Sequence, residues 1–139
     1  MVRGRRIAFD YGDSRIGVAI CDPDGILASP LPFLDARHPK LISHIGDLFS
    51  EYEPIAVYVG EPRQLSGELG VAVTKAMGFV ASLKENFDIP IHLIDERLST
   101  VDAARKLRES GISSRDSKNL IDSMAAVAIL ESGLASENR

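Results

Sequence analysis

Hydrophobic residues alternate with small or polar ones near the start of the chain, which is the period of β-strands. Three segments are predicted as strands: residues 6–11, 15–21 and 26–34. The turn-forming runs Gly12-Asp13-Ser14 and Asp22-Pro23-Asp24-Gly25 separate them. Pro30 and Pro32 lack the backbone N–H of a central strand, so the third strand is predicted as an irregular edge. The three strands together predict an antiparallel meander.

The period changes to that of amphipathic helices after residue 40. Two apolar stripes predict helices: Leu41, Ile42, Ile45, Leu48, Phe49 and Tyr52, then Leu69, Val73, Ala76, Val80, Leu83 and Phe87. Two more buried strands are predicted at 55–60 and 90–94, a helix at 99–111 and a last helix at about 116–133. This order predicts an α/β fold: a mixed five-stranded sheet with three antiparallel N-terminal strands, two further strands, and helices on both faces.

Length and composition fit one domain over residues 1–139, with 45% hydrophobic and 26% charged residues. No stretch approaches the ~20 apolar residues of a membrane span, so no membrane partner is expected. The single cysteine, Cys21, is interpreted as a small packing residue and favours a reducing, cytoplasmic location.

The net charge gives little support to a chain that is basic over its whole surface. The formal charge of −4 argues against a general nucleic-acid coat, but it leaves room for a local basic surface. Basic residues flank the candidate acids in sequence, and each alone is interpreted as a solvated residue: Arg3, Arg5, Arg6, Arg15, Arg63, Arg97, Arg105, Lys106, Arg108, Arg115 and Lys118.

Asp10 lies inside an otherwise apolar strand. By the alternation of strands, Ala8 and Asp10 share a face, and the small residues Gly17, Ala19 and Cys21 share one face of the next strand. If these two faces coincide, they form a pocket that holds a carboxylate. The alternative, about equally favoured by the local pattern, is an aspartate that bonds to the following turn.

Two further acids lie in similar surroundings. Glu96 directly follows the predicted strand 90–94, where functional groups collect in sheets with helical crossovers. An exposed Glu96 paired with Arg97 is the alternative. Asp122 lies on a helix stripe with Ala125, Ala126 and Ile129, where an acid must be paired, protonated or bound to a cation. Its alternative is a salt bridge to Lys118.

Three carboxylates gathered from a strand, a strand end and a helix predict a divalent-metal site. Carboxylate oxygens are hard ligands that suit Mg²⁺ or Mn²⁺. Asp10, Glu96 and Asp122 are therefore the candidate metal ligands and catalytic acids, in the pattern of a two-metal phosphodiesterase. Asp95 carries the same ambiguity as Glu96 and is interpreted as structural.

The chain resembles the YqgF (RuvX-like) family of bacterial proteins. Four stretches carry the resemblance: Asp10-Tyr11-Gly12-Asp13-Ser14-Arg15-Ile16-Gly17-Val18-Ala19, then Val59-Gly60-Glu61-Pro62 with Gly67, then Asp95-Glu96-Arg97-Leu98-Ser99-Thr100, and Ile121-Asp122-Ser123-Met124-Ala125-Ala126-Val127-Ala128-Ile129-Leu130. The resemblance implies an RNase H-like fold and catalytic acids at Asp10, Glu96 and Asp122. It also implies a nuclease, acting either in maturation of the 5′ end of pre-16S rRNA or in Holliday-junction resolution. Arg15, Arg63, Arg97 and Lys118 are the expected nucleic-acid contacts.

The expected partner is nucleic acid, with RNA favoured over DNA on family grounds and ribosomal precursor particles as the setting. A junction resolvase should be a two-fold dimer, whereas no exposed apolar seam requires more than a monomer or a weak homodimer here. A non-catalytic binder of structured RNA is the second alternative. Glu61 stands where the family usually has an apolar residue, which suggests a possible fourth acid. A two-domain phosphate-binding fold of the actin and sugar-kinase type needs a longer chain.

Overall fold

A computed structural model describes residues 1–61, 70–95 and 114–138, and for residues 114–122 it describes the helical backbone only. The described elements are β1 (Arg6–Tyr11), β2 (Arg15–Cys21), β3 (Ala28–Asp35), α1 (Leu41–Tyr52), β4 (Ala56–Glu61), α2 (Val71–Asn86), β5 (Ile91–Asp95) and α3 (Ser114–Glu137). They follow the order predicted from the sequence. The helix predicted over 99–111 lies outside the described residues.

All five strands form one mixed sheet in the order β3-β2-β1-β4-β5. β1 pairs antiparallel with β2, and β2 pairs antiparallel with β3, as the meander predicts. β4 lies parallel to β1, and β5 lies parallel to β4. The carboxyl ends of β1, β4 and β5 therefore meet at one edge of the sheet, which is the usual location of binding groups in such architectures.

Two hydrophobic clusters cover the two faces of the sheet. Ile7 and Phe9 of β1 pack with residues of α1 and α2 on one face. Ala8, between them, packs with residues of α3 on the other face. This alternation is the two-residue period of an extended strand, and it confirms the prediction of helices on both faces. Fully burying an aliphatic or aromatic side chain contributes roughly 1.5–3 kcal/mol, so these two clusters hold the layers together.

The edge strand β3 carries a β-bulge opposite the middle of β2. Ile16 pairs with Leu34, whereas Val18, two residues later, pairs with Leu31. Pro32 and Phe33 therefore both lie opposite Gly17. The prediction of an irregular, proline-containing edge strand is confirmed, and the irregularity is one extra residue in β3.

Arg6 corrects one interpretation of the sequence. We expected a solvated arginine, but the side chain is only 1% exposed. Its guanidinium donates 2.7 Å hydrogen bonds to Glu137 and to the carbonyl of Val2, so the buried charge is paired. The partner acid lies 131 positions away in the sequence, which no local pattern can reveal.

The last helix is longer than predicted. It runs past Gly133, the expected stop, to Glu137, and Gly133 packs within the helix against the ring of Tyr58. Within the described part of the chain, no helix has the length and apolar character needed to span a membrane.

Candidate functional site

Asp10 lies near the carboxyl end of β1, on the sheet face that α3 covers. Tyr11 projects to the opposite face, where its ring stacks on Phe79 of α2 with centroids 5.0 Å apart. Ala8, two residues before Asp10, packs in the α3 cluster. Strand alternation therefore directs half-buried Asp10 toward α3.

Gly17 is the direct partner of Asp10 in the β1–β2 pairing. Ala19, the next residue of β2 on that face, pairs with Ala8 and is fully buried. The predicted row of small residues beside the carboxylate is therefore confirmed. A larger side chain at position 17 would occupy the space next to Asp10.

Ser123 of α3 forms hydrogen bonds to the sheet close to Gly17. Its hydroxyl accepts a 3.1 Å hydrogen bond from the backbone N–H of Val18 and donates a 2.5 Å hydrogen bond to the carbonyl of Leu31. Val18 and Leu31 border the bulge, where the regular ladder is interrupted. One fully buried hydroxyl thus bridges two strands and a helix.

This contact has a consequence for Asp122, the next residue back along α3. Position 122 belongs to the same helix, and the residue after it, Ser123, is hydrogen-bonded to Val18 of β2. The backbone of Asp122 is therefore held close to β2. Sequence reasoning missed Ser123, although a serine among apolar neighbours on a helix is a recognisable signal, because a buried hydroxyl needs a partner.

The strands β4 and β5 end in acids as well. Glu61 and Asp95 are partners in the parallel β4–β5 pairing. Val57 and Val59, which alternate with Glu61, pack on the face of α1 and α2. Glu61 is thus on the opposite face from Asp10, which argues against it as a fourth acid beside Asp10. Glu96 is the next residue in the sequence after Asp95.

The structure describes only part of the predicted acid set. Asp10 is described fully and Asp122 through its backbone, while Glu96, Arg63 and Arg97 lie outside the described residues. The side chain of Lys118 lies outside them too. Over the described residues alone, no three His, Cys, Asp or Glu side chains gather in a way that would hold a metal ion. The donor chemistry still fits a hard divalent cation, because Asp10 offers carboxylate oxygens on a half-buried face.

Arg15 and Phe33 lie on the same side of the sheet as Asp10. Arg15 begins β2, two residues before Gly17, and its guanidinium carbon lies 4.9 Å from the centroid of the Phe33 ring. This distance is that of a cation–π contact. Arg15 is exposed and Phe33 is half-buried, so the pair borders solvent. Phe33 was not identified from the sequence.

A cavity of about 290 Å³ opens on the other side of the β1 end. It is lined by Tyr11, Gly12, Asp13, Val71, Ala72 and Lys75. Lys75 donates a 2.8 Å hydrogen bond to Asp13, and this contact, with the lysine charge, lowers the pKa of the Asp13 carboxyl. The charge of Asp13 is therefore compensated within the chain, unlike that of a metal-ligating acid.

The opposite end of the sheet holds a polar cluster of Arg6, Tyr58 and Glu137. Burial acts to lower the pKa of Arg6, but the hydrogen bond and charge of Glu137 outweigh it, and the pKa is raised. Burial likewise acts to raise the pKa of Glu137, but the hydrogen bonds from Arg6 and Tyr58 reverse the shift, and the pKa is lowered. These interactions stabilise the ion pair between Arg6 and Glu137.

Comparisons with known proteins agree with this architecture. The family model described as "RuvX: Holliday junction resolvase" matches residues 4–136. A protein of Streptomyces coelicolor, named "Putative pre-16S rRNA nuclease", is 48% identical over 139 residues, covering 99% of this chain and 83% of that protein. A protein of Rhodococcus jostii with the same name is 49% identical over 143 residues, covering 99% and 80% of the two chains.

The fold also has relatives among solved structures. Thermus thermophilus RuvC, solved in complex with a Holliday junction substrate, superposes with a TM-score of 0.56 at 14% identity. The match covers 97% of this chain and 96% of that one. A second structure of the same RuvC gives a TM-score of 0.54 at 16% identity. These likenesses confirm the expected RNase H-like fold.

Proposed function

The chain belongs to the RuvX family of nucleases, and we propose that it is a divalent-metal-dependent nuclease that processes the 5′ end of pre-16S rRNA. The relatives from Streptomyces and Rhodococcus carry the name of a pre-16S rRNA nuclease and match this chain over nearly its whole length. We extend that substrate to this protein, in a cytoplasmic setting with ribosomal precursor particles as partners.

The proposed catalytic acids are Asp10, Glu96 and Asp122. The observation that carries this proposal is the position of Asp10 on the α3 face, directly opposite Gly17, with the β2 strand bonded to α3 at Ser123. That bond joins the strand beside Asp10 to the helix residue next to Asp122. In the sequence Glu96 directly follows Asp95, the last residue of β5, and β5 ends at the same edge of the sheet as β1.

The role of each acid follows from the chemistry of phosphodiester hydrolysis. Bound Mg²⁺ or Mn²⁺ would supply activation of the attacking water and stabilisation of the leaving oxygen. The three carboxylates would hold the ions and fix their position against a phosphate. Arg15, Arg63, Arg97 and Lys118 are the proposed contacts to the nucleic-acid backbone, since cationic side chains neutralise phosphates.

A Holliday-junction resolvase is the second candidate. The family model bears that description, and the RuvC structure with a junction substrate shares the fold. A resolvase would act as a two-fold dimer so that paired strands are cut symmetrically. The RNA assignment would need only a monomer or a weak homodimer.

One experiment separates these candidates. The purified protein is given precursor rRNA and a four-way DNA junction side by side, with Mg²⁺ or Mn²⁺. We expect cleavage of the RNA and a loss of at least about 100-fold in Asp10→Asn and in Asp122→Asn, since a metal ligand supplies several kcal/mol at the transition state.

The control variant is Asp24→Asn, which removes one carboxylate at the opposite end of the sheet, where Asp24 pairs with exposed Arg3. It should cleave like the wild type. Preferential cutting of the junction would favour the resolvase, and full activity in both site variants would overturn the assigned acids. RNA binding without metal-dependent cleavage would favour a non-catalytic binder.

A further inference from the structure

The bulge in β3 directs an aromatic side chain to the face of Asp10. Leu31 and Leu34, on either side of it, both pack on the face of α1 and α2. The two residues between them, Pro32 and Phe33, lie opposite Gly17, the partner of Asp10. Bulges are frequent next to active sites because they re-aim a side chain in this way.

The guanidinium group of Arg15 lies over the Phe33 ring and adds a positive charge to this aromatic surface. The guanidinium carbon lies 4.9 Å from the Phe33 centroid, and the arginine is exposed. A guanidinium group is planar and permanently charged, so it can stack on a base while it attracts a phosphate. Arg37, two residues beyond the end of β3, is also exposed, and its charge acts on Asp13, which lies two residues before Arg15.

The pair lies close to the proposed cleavage site. Arg15 is two residues from Gly17 along β2, which corresponds to about 7 Å at the rise of a strand, and neighbouring strands are about 4.8 Å apart. The backbone of Arg15 is therefore within roughly 10 Å of that of Asp10. A substrate strand whose phosphate lies at Asp10 can reach this surface with a flanking nucleotide.

On this basis we infer that Phe33 and Arg15 form a stacking surface for an unpaired RNA nucleotide next to the cleaved bond. The inference rests on the proposed function, and it specifies that the site binds substrate with an unpaired nucleotide beside the cleaved bond. The nucleotide must be unpaired, because both faces of a base inside a helix are already covered by neighbouring bases, whereas splayed bases stack on aromatic rings and on arginine. A duplex across the cleavage site would leave the surface unused.

The test measures binding apart from cleavage. Full-length Asp10→Asn protein is titrated, by fluorescence anisotropy, with an RNA carrying unpaired nucleotides beside the processing site and with the same RNA annealed to a complement. We expect Phe33→Leu to weaken binding of the unpaired RNA about 10-fold to 100-fold, and to leave the annealed RNA unchanged. Phe33→Trp should restore binding, since indole stacks as well.

Arginine variants separate stacking from charge. Arg15→Lys keeps the charge but loses the plane, so it should weaken binding while the salt dependence is retained. Arg15→Gln should reduce the salt dependence as well. Arg5→Gln is the matched control, because Arg5 is exposed just before β1 at the other end of the sheet. It should bind like the parent protein.

The outcomes distinguish this inference from the proposed nuclease activity. Equal losses for unpaired and annealed RNA in Phe33→Leu, or no loss at all, overturn the stacking surface even if the wild type cleaves RNA. If the wild type cleaves nothing but Phe33→Leu selectively loses unpaired RNA, the stacking surface stands and the nuclease assignment fails. Equal selectivity with unpaired DNA of the same sequence would overturn the restriction to RNA.

Discussion

The backbone N–H of Val18 donates a 3.1 Å hydrogen bond to the hydroxyl of Ser123, although 105 positions separate the two residues in the chain. The same hydroxyl donates a hydrogen bond to the carbonyl of Leu31, which is the partner of Val18 in β3 at the border of the bulge. A distortion of the sheet is thus compensated by a side chain of a helix. The bulge and the docking of α3 are therefore expected to depend on each other.

Replacing Ser123 with alanine tests this dependence. The variant Ser123→Ala leaves the buried N–H of Val18 and the carbonyl of Leu31 without the hydroxyl, which should lower the free energy of unfolding by about 1–3 kcal/mol. Urea denaturation measures the change. Ser43→Ala, at an exposed position of α1, is the control and should stay within about 0.5 kcal/mol of the wild type. Equal midpoints for both variants would argue against the bridge.

The sequence predicts the sheet and much of its surroundings because the relevant signals are local. Alternation in residues 6–11 and 15–21 predicts β1 and β2, and it correctly brings Gly17 beside Asp10. The prolines of β3 predict an irregular edge strand. The stripe of Val73, Ala76, Val80 and Leu83 predicts the buried face of α2.

Long-range pairing explains what sequence reasoning missed. Nothing near Arg6 in the sequence indicates Glu137, and nothing near Ser123 indicates a bulge in β3. The sequence around Phe33 does not show that this residue lies opposite Gly17, because that position follows only from the register of β3 with β2. Asp10, Glu96 and Asp122 were selected from their apolar or strand-end settings, and their grouping as one acid site stays a prediction.

Metal binding should stabilise the protein through Asp10. At an ion concentration about 100 times its Kd, binding to the folded state alone adds about 2.7 kcal/mol, which raises Tm by roughly 8 °C in a chain of this size. We expect this shift with Mg²⁺ or Mn²⁺ in thermal unfolding, and its reversal by a chelator.

The matched variants make this measurement specific. Asp10→Asn should lose most of the ion-dependent shift, while Asp24→Asn should keep it. In the proposed acid site the carboxylates repel one another when no ion is bound, so Asp10→Asn should also be more stable than the wild type without added ions. The same ion-dependent shift in both variants would mean that the ions bind elsewhere.

Two glycines in helices should respond oppositely to alanine. A methyl group at Gly133 would lie 2.8 Å from three ring carbons of Tyr58, whose side chain is 3% exposed and whose hydroxyl donates to Glu137. Because the ring is held at both ends, Gly133→Ala should destabilise the protein by about 1–3 kcal/mol. Gly78 of α2 has nothing within 4 Å of that position, so Gly78→Ala should stabilise it by about 0.5–1 kcal/mol. Thermal or urea unfolding measures both, and destabilisation by both would contradict the packing argument.

The stability of the fold should fall in acid because of Glu137. Burial alone would raise its pKa, but the hydrogen bonds from Arg6 and Tyr58, with Arg6 and His92 charges, lower it below the ordinary value of 4.5. A lowered pKa in the folded state stabilises the protein above the unfolded pKa. That stabilisation is lost as the pH falls through the folded pKa.

The variant Glu137→Gln isolates this contribution. At about pH 7 it should cost about 3 kcal/mol, because the buried Arg6 guanidinium loses its counter-charge. At about pH 3 the difference from the wild type should be smaller, because below pH 4.5 the unfolded wild-type chain binds a proton that the carboxylate of the folded chain, with its lowered pKa, binds less readily. Urea unfolding at both pH values measures it, and a pH-independent difference would contradict the charge pairing.

The prolines and the bulge of β3 also limit how the molecule meets other copies of itself. An exposed strand edge normally invites a further strand, since its free N–H and C=O groups are a template for pairing. Pro30 and Pro32 supply no N–H, and the extra residue breaks the regular spacing between them and Leu34. This edge is thereby protected against edge-to-edge aggregation. The half-buried ring of Phe33 can therefore lie in this edge strand, next to solvent, without promoting the addition of further strands.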